Sequence, residues 1–323
     1  MKGRTENAIK DRNRLKNMLV SAPSLLKEYG EILMASREPK TCLTYIGLLL
    51  DYCKFVNKDV SKCKSADIAR YMDHIRYKDV NGETIEASSA TRQLNWSALN
   101  QFYEYLVSAE YIKTNPVKTI PRPKTEVHTP DVSLSMKELN KLLDATSKAN
   151  WRNWPKRDKL ILYTLMVTGM RRTALTEINL SDIDVDKKVL VVIDKRNKRQ
   201  VYYLDDKYIN LLNEYLDERN RYVLQREMSS DALFVSYKSG RITPASIRTM
   251  VSKYSQFALG KSISPHKLRA SFVTLYYEAS GHDIVATCKA VGHANIETTN
   301  RYIKGKNDSR KKAMAFMSKG LMR

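Results

Sequence analysis

The N-terminal third of the chain repeats its apolar residues with the period of an α-helix. Apolar side chains recur every three or four residues in three successive segments, 45–55, 66–75 and 94–106. Ser65 is placed to cap the second of these helices, and Ser88 or Ser89 is placed to cap the third. Between them, the polar residues 79–82 predict a turn. We therefore predict a small helical bundle over residues 25–113.

The C-terminal part of the chain mixes helical and strand patterns. Ser135 and Glu138 form an S-x-x-E capping box that opens a helix. Further helical spacing occurs in four segments, 159–169, 175–180, 208–222 and 244–257. Segments rich in β-branched and aromatic residues predict three strands, 189–193, 201–204 and 232–235. The first two strands flank a polar turn and predict a hairpin, so the expected fold class is mainly α with a small β component.

A proline-containing segment separates the two parts. Its prolines are Pro116, Pro121, Pro123 and Pro130. Because proline blocks helix continuation and stiffens the chain, we expect a basic, extended linker over residues 114–134. This linker either lies along a DNA backbone or is a plain spacer between domains at 25–113 and 135–305. Composition favours neither interpretation.

Both ends of the chain lie outside these two domains. Residues 1–24 form a basic N-terminal extension, interpreted as a solvated helix or, alternatively, as an arm that contacts DNA. Residues 306–323 form a basic tail in which Met314, Met317 and Leu321 line one face of a predicted helix. This apolar stripe either packs on its own domain or docks in trans onto a neighbouring subunit.

The charge balance of the chain limits the classes of partner. The 323 residues include 56 Lys and Arg but only 35 Asp and Glu, which gives a net charge of +21. A chain this basic favours a polyanion, with DNA or RNA ahead of an anionic membrane. No apolar run approaches the ~20 residues of a membrane span, so we expect no membrane partner. The four cysteines lack C-x-x-C spacing, and we expect reduced thiols, no metal site and a cytoplasmic protein.

Candidate chemistry is concentrated near the C-terminus. His266 and Arg269 are three residues apart on a predicted helix, so they share one face and can hold a phosphate. Gly292 is predicted to end the next helix directly before His293, and Tyr302 follows nine residues later. Each of these residues taken alone is more often structural. Only their joint spacing favours an anion-binding site with a phenol at its edge.

This ordered set, H-x-x-R, then G-H, then tyrosine, resembles the C-terminal signature of the tyrosine recombinases, the phage integrase family. Residues 168–171, T-G-M-R, resemble the first motif of the family and put Arg171 in the position of its first catalytic arginine. Lys195, in the turn of the predicted hairpin, matches the catalytic lysine of the family, with Lys198 as the alternative. The resemblance implies an N-terminal helical core-binding bundle and a C-terminal mixed α+β catalytic domain.

The resemblance also implies how the site holds DNA. Arg171 and Arg269 would neutralise the scissile phosphate, and His293 would donate a hydrogen bond to it. The expected partner is double-stranded DNA that carries specific recombination sites. We expect a homotetramer on paired sites and a monomer or dimer away from DNA.

The remaining roles that the resemblance implies concern proton transfer. Tyr302 would attack the phosphate and form a 3′-phosphotyrosyl bond, with His266 as general base. Lys195 would protonate the departing 5′ oxygen. No cofactor and no metal is expected. The most specific function that the resemblance implies is integration or excision of a mobile element.

The chain departs from the family pattern near the first arginine. Three residues after the first arginine the family usually has an acidic residue, but this chain has Ala174, with Glu177 as the candidate substitute. The alternative functions are DNA relaxation by a type IB topoisomerase and a non-catalytic basic DNA-binding protein. The filled active-site positions weigh against the second alternative, and the two-domain layout and apolar tail favour a recombinase over the first.

Overall fold

The computed structural model describes residues 2–80, 83–124, 133–151, 154–193, 199–237, 240–292, 296 and 299–300. The chain divides into two compact units, residues 1–127 and 128–323. Among the described residues, no helix is both long and apolar enough to cross a membrane.

The N-terminal unit is built from helices. They are α1 (Lys2–Val20), α2 (Ser24–Ser36), α3 (Pro39–Val56), α4 (Ser65–His74) and α5 (Ser89–Ser108). Leu15 and Leu19 of α1 lie in the same buried core as α3, α5 and Val117. The predictions of a solvated first helix and of an extended linker from residue 114 were therefore wrong at these residues, because their apolar side chains pack into the bundle. Two tyrosines cross this core, where the hydroxyl groups of Tyr52 and Tyr103 are 2.7 Å apart. Tyr103 also donates to the carbonyl of Val60 over 3.1 Å, so the buried hydroxyls are satisfied within the core.

A β-hairpin interrupts the helices of this unit. Strand β1 (Tyr77–Val80) pairs antiparallel with β2 (Glu83–Glu86), and Val80 lies opposite Glu83. The prediction of helices joined only by a turn was wrong here. The Asn-Gly pair between the strands is the sequence signal that identifies a tight hairpin.

The start of α4 also differs from its prediction. Ser65 does not cap this helix, because its hydroxyl donates to the carbonyl of Pro116 over 3.0 Å. The carboxylate of Asp67 instead accepts the backbone N–H of Lys64 at 2.8 Å. Ser88 does cap α5, since its hydroxyl accepts the N–H of Thr91 at 3.2 Å.

The C-terminal unit contains seven described helices and a three-stranded sheet. The helices are α6 (Met136–Lys148), α7 (Pro155–Thr168), α8 (Arg172–Thr176), α9 (Asp206–Gln225), α10 (Pro244–Leu259), α11 (Pro265–Ala279) and α12 (Ile284–Val291). The strands are β3 (Ile183–Asp184), β4 (Val189–Ile193) and β5 (Arg199–Tyr203), which lie in this order in an antiparallel sheet. The predicted capping box of α6 is confirmed, because Ser135 and Glu138 each accept the backbone N–H of the other.

Helix α7 is the central element of the C-terminal unit. It packs against α6, α9 and α11, and its side chains from Leu160 to Leu165 are all buried. Two threonines on it bond back to its own carbonyls, Thr164 to Leu160 at 2.7 Å and Thr168 to Thr164 at 2.6 Å. Because α7 is packed in this way, its C-terminal end has a fixed position next to the candidate site.

Helix α8 is shorter than its apolar pattern predicts. The pattern runs to Leu180, but the helix ends at Thr176. The side chain of Arg241 donates to the carbonyls of Thr176 at 2.7 Å and Ile178 at 3.2 Å. These carbonyls accept hydrogen bonds from a side chain distant in the sequence, so the backbone can leave the helix after Thr176.

The predicted strand at residues 232–235 was also wrong. Ala232 makes only an isolated bridge with Asn179, and the N–H of Leu233 bonds to Ile178 over 2.9 Å. The buried side chain of Arg219 donates to the carbonyls of Ser230 at 2.7 Å and Ala232 at 2.8 Å. Within the predicted strand, the carbonyl of Ala232 therefore bonds to this arginine.

Alanine at Gly169 should destabilise the C-terminal unit more than alanine at Gly260. Both glycines end helices with positive φ, +58° and +68°, so each alanine costs about 1 kcal/mol in backbone energy. A Cβ at Gly169 would also lie 2.3 Å from the Phe272 ring, whereas one at Gly260 meets no atom within 4 Å. We expect Gly169→Ala to lose about 1–3 kcal/mol more in urea unfolding. Equal losses in the two variants would contradict this packing.

Candidate active site

The C-terminal end of α7 turns sharply into α8. Gly169 adopts a left-handed conformation, and its N–H bonds to the carbonyl of Leu165 over 3.1 Å. Met170 is buried, and Arg171 has the extended conformation that precedes the first turn of α8. A helix end, a buried anchor and a new helix start therefore fix the backbone of Arg171 within three residues.

Arg269 of α11 joins the ends of two other helices. Its guanidinium donates to the carbonyl of Gly169 at the end of α7, and to the carbonyl of Val291 at the end of α12 over 2.8 Å. Arg269 is only 5% exposed. Helix C-termini carry partial negative charge, so both carbonyls stabilise this buried cation. One side chain therefore fixes the position of α11 relative to the turns that precede Arg171 and His293.

Helix α12 has well-defined caps at both ends. At its start, the carboxylate of Asp283 accepts the backbone N–H groups of Val285 and Ala286 at 2.8 and 2.9 Å. At its end, Gly292 has φ +65°, which confirms the predicted stop. The glycine then leads directly into His293 in the sequence.

His266 occupies the first turn of α11 and is exposed to solvent. Partial desolvation lowers the pKa of His266, and the positive charges of Arg269, Arg171 and Arg172 lower it further. These arginines therefore lie close enough to act on the imidazole. The neutral ring, which can accept a proton, is favoured near pH 7.

The structure brings three of the six predicted site residues together. Arg269 bonds to the carbonyl of Gly169, two residues before Arg171, and the charges of both arginines act on His266. The other three, Lys195, His293 and Tyr302, lie outside the described residues, and their places in the site remain predictions. The structure does describe the residues next to two of them in the sequence. Lys195 falls between β4 and β5, and His293 follows Gly292.

Two features near the site were not singled out by the sequence. Arg172 adds a further positive charge beside His266, and only the doubled arginine of T-G-M-R-R signals it. Phe272 lies against Gly169, in a contact between helices that no local pattern predicts. Ala174, at the position where an acid was expected, is buried, and Glu177 directly follows the end of α8. Whether Glu177 orients Arg171 remains a prediction.

Two family models match this chain. The model described as "Phage integrase family" matches residues 133–308, and the one described as "Phage integrase, N-terminal SAM-like domain" matches residues 26–110. Tyrosine recombinase XerC of Caldanaerobacter subterraneus subsp. tengcongensis is 30% identical to it over 304 residues. This alignment covers 87% of the chain and 82% of that relative.

Solved structures show the same fold. The XerH site-specific recombinase bound to palindromic difH substrate, in a post-cleavage complex, matches with a TM-score of 0.70 and 21% identity, over 96% of this chain and 89% of that one. A lambda integrase tetramer bound to a Holliday junction matches with a TM-score of 0.63 and 19% identity, over 86% and 76% of the two chains. The combination of helical N-terminal domain and mixed C-terminal domain is therefore shared with these proteins.

The pKa of His266 should lie below the usual value of about 6.5. Arg172→Gln removes one of the positive charges that lower it, so this variant should raise the pKa of His266. NMR titration of the histidine ring measures the shift, with Lys187→Gln as the control because Lys187 is paired with Asp184. The folded state resists protonation more than the unfolded chain does, so this histidine costs stability as pH falls below about 6.5. A pKa of His266 above that value would refute the effect of the arginines.

Proposed function

The chain belongs to the phage integrase family of tyrosine recombinases, which cut and rejoin DNA strands, and from this premise we propose that it is a site-specific recombinase with Tyr302 as its nucleophile. The observation that supports this best is the position of Arg269. Its bonds to Gly169 and Val291 join the turn of Arg171 to the helix that precedes His293.

In the proposed site, Arg171 and Arg269 bind the non-bridging oxygens of the scissile phosphate. Guanidinium groups stay charged and match the geometry of phosphate, so they neutralise the charge that develops in the transition state. The carbonyl bonds of Arg269 fix its guanidinium before substrate arrives, which limits reorganisation during the reaction. His293 donates a further hydrogen bond to the same phosphate.

The proposed reaction exchanges one phosphodiester bond for another. The phenol of Tyr302, with a reference pKa of about 10, loses its proton to His266 as its oxygen attacks phosphorus. The bond between phosphorus and the 5′ oxygen breaks, and Lys195 gives that oxygen a proton. The 3′-phosphotyrosyl bond that forms has nearly the energy of the bond lost, so a second 5′-hydroxyl can attack it and rejoin the strands. The proposal uses neither a metal nor a cofactor.

The proposed partner is double-stranded DNA with specific recombination sites. The net charge of +21 supports it, since phosphate contacts supply most of the affinity in such complexes. We assign DNA binding to the N-terminal helical unit, whose core includes Leu15 of α1 and Val117, and catalysis to residues 135–305. Such a protein acts in the cytoplasm, where its DNA is.

The proposed assembly is a homotetramer on paired sites. The lambda integrase structure of the same fold, described as a tetramer bound to a Holliday junction, supports this state. In the tetramer that we propose for this chain, the tail at residues 306–323 docks in trans through Met314, Met317 and Leu321.

The finer biological role that we propose is integration or excision of a mobile element. The family model that covers most of the C-terminal unit, described as phage integrase, supports this role. The names XerC and XerD of the relatives favour a second candidate, a Xer-type recombinase whose site lies outside any mobile element. The position of the gene relative to repeated DNA at the ends of an element distinguishes the two.

Tyr302→Phe should abolish covalent attachment to DNA while preserving binding. The change removes one oxygen and almost no volume, and binding rests on basic side chains that salt weakens equally in both proteins. On a nicked suicide substrate with a chelator present, the wild-type protein should be trapped on the 3′ end. Denaturing gels and gel-shift titrations measure the two properties.

Other outcomes of the same assay identify the alternatives. An adduct formed by Tyr302→Phe would show that another residue is the nucleophile. A wild-type protein without an adduct on any recombination site would favour a non-catalytic DNA-binding protein. Adducts accompanied by relaxation of arbitrary plasmids, without recombinant joints, would favour a topoisomerase.

Lys195→Ala should be strongly defective on ordinary DNA but active when sulfur replaces the bridging 5′ oxygen. A thiolate leaves without a proton, so this substrate does not need the general acid. Lys198→Ala provides the matched control, and the cleavage rates of both variants are compared on both substrates. Rescue of Lys198→Ala alone would assign the role to Lys198.

A further inference from the structure

Gln200 of β5 lies directly against the end of α12. A Cβ added to Gly292 would be 2.7 Å from its Nε2 atom and 3.3 Å from its Cδ atom. The first distance is shorter than real Cβ contacts and the second is tight, so the amide of Gln200 lies close against the Cα of Gly292. This contact joins the sheet to the last turn of α12.

The position of Gln200 in its strand is unusual for a polar residue. It pairs with Val192 of β4, which is 4% exposed, and the exposed residues of β5 alternate with it. Gln200 therefore lies on the inner face of the sheet, where an apolar side chain would normally pack. Its amide contributes little to an apolar core there, but it does fill the space beside Gly292.

Arg269 also bonds to this end of α12. The carbonyl of Val291 accepts from the Arg269 guanidinium at 2.8 Å, and Gly292 is the next residue. The end of α12 is thus contacted by both the arginine of α11 and the glutamine of β5. In the sequence, β5 begins directly after the segment that contains Lys195, and α12 ends directly before His293.

We infer that Gln200 is a positioning residue, which sets the hairpin that carries Lys195 at the correct distance from the turn that carries His293. The inference rests on the proposed function, in which both residues act on one phosphate. Glycine at position 292 suits its φ of +65°, and the absence of a Cβ leaves the space that the Gln200 amide occupies. Gln200 is half-buried on β5 and lies against α12, so its effect on cleavage is assigned to the placement of Lys195.

The test compares the cleavage of two suicide substrates, one with an oxygen and one with a sulfur at the bridging 5′ position. Gln200→Ala removes the contact and should slow cleavage of the oxygen substrate about 10- to 100-fold, the loss expected for misplacing a catalytic group. The sulfur substrate, which needs no proton from Lys195, should be cleaved at nearly the wild-type rate. Gln200→Met keeps the length of the side chain and should retain most of the activity on both substrates.

Two further variants separate positioning from a general loss of structure. Val201→Ala changes the neighbouring residue, whose side chain is on the exposed face of β5, and should leave both rates unchanged. In the Lys195→Ala background, Gln200→Ala should cause no further loss on the oxygen substrate. Thermal melting and gel shifts confirm that each variant folds and binds DNA.

Several results would overturn the inference. The first is a Gln200→Ala variant that cleaves the oxygen substrate at the wild-type rate. The second is an equal loss of cleavage rate on both substrates, and the third is a further loss of rate when Gln200→Ala is added to Lys195→Ala. A Lys195→Ala variant that sulfur does not rescue would also do so, because the hairpin would not supply the proton. In all these cases the wild-type protein still forms its adduct, whereas failure of the proposed function leaves the wild-type protein without an adduct on either substrate.

Discussion

The candidate site depends on one buried cation between two helix ends. Arg269 donates to the carbonyls of Gly169 and Val291, which terminate α7 and α12. An isolated buried charge is very unfavourable, but two helix C-termini supply the compensating partial negative charge. Removing the guanidinium would leave both carbonyls unsatisfied and would release two turns at once. The residue that the proposed mechanism assigns to the phosphate is thus also the residue that holds the phosphate site in shape.

Sequence reasoning predicted the elements whose ends are determined locally. The stops at Gly169 and Gly292 and the capping box of α6 were confirmed, because glycine conformation and side-chain caps act within one helical turn. The end of α8 and the segment at 232–235 were predicted wrongly. In both, the backbone carbonyls bond to arginines distant in the sequence, Arg241 and Arg219. No local pattern contains that information.

The candidate site shows the same limit. The three-residue spacing of His266 and Arg269 predicts a shared helix face, yet Arg269 is buried and His266 is exposed. Arg269 bonds to the carbonyls of Gly169 and Val291, whereas His266, one turn earlier on α11, is accessible to solvent. Spacing could identify both residues as candidates, but only packing distinguishes the fixed cation from the accessible base. The contact of Gln200 with Gly292, between a strand and a helix end, was likewise invisible to the sequence.

The electrostatics of the proposed site link DNA binding to proton transfer. Without DNA, partial desolvation and the charges of Arg269, Arg171 and Arg172 lower the pKa of His266 and favour the neutral imidazole. A bound phosphate would neutralise part of this charge, and its own negative charge would favour the protonated ring. The pKa of His266 should therefore rise when the scissile phosphate enters. His266 would be unprotonated before DNA binds and would be a stronger proton acceptor when Tyr302 attacks. The arginines that hold the phosphate would therefore also determine when His266 accepts the proton.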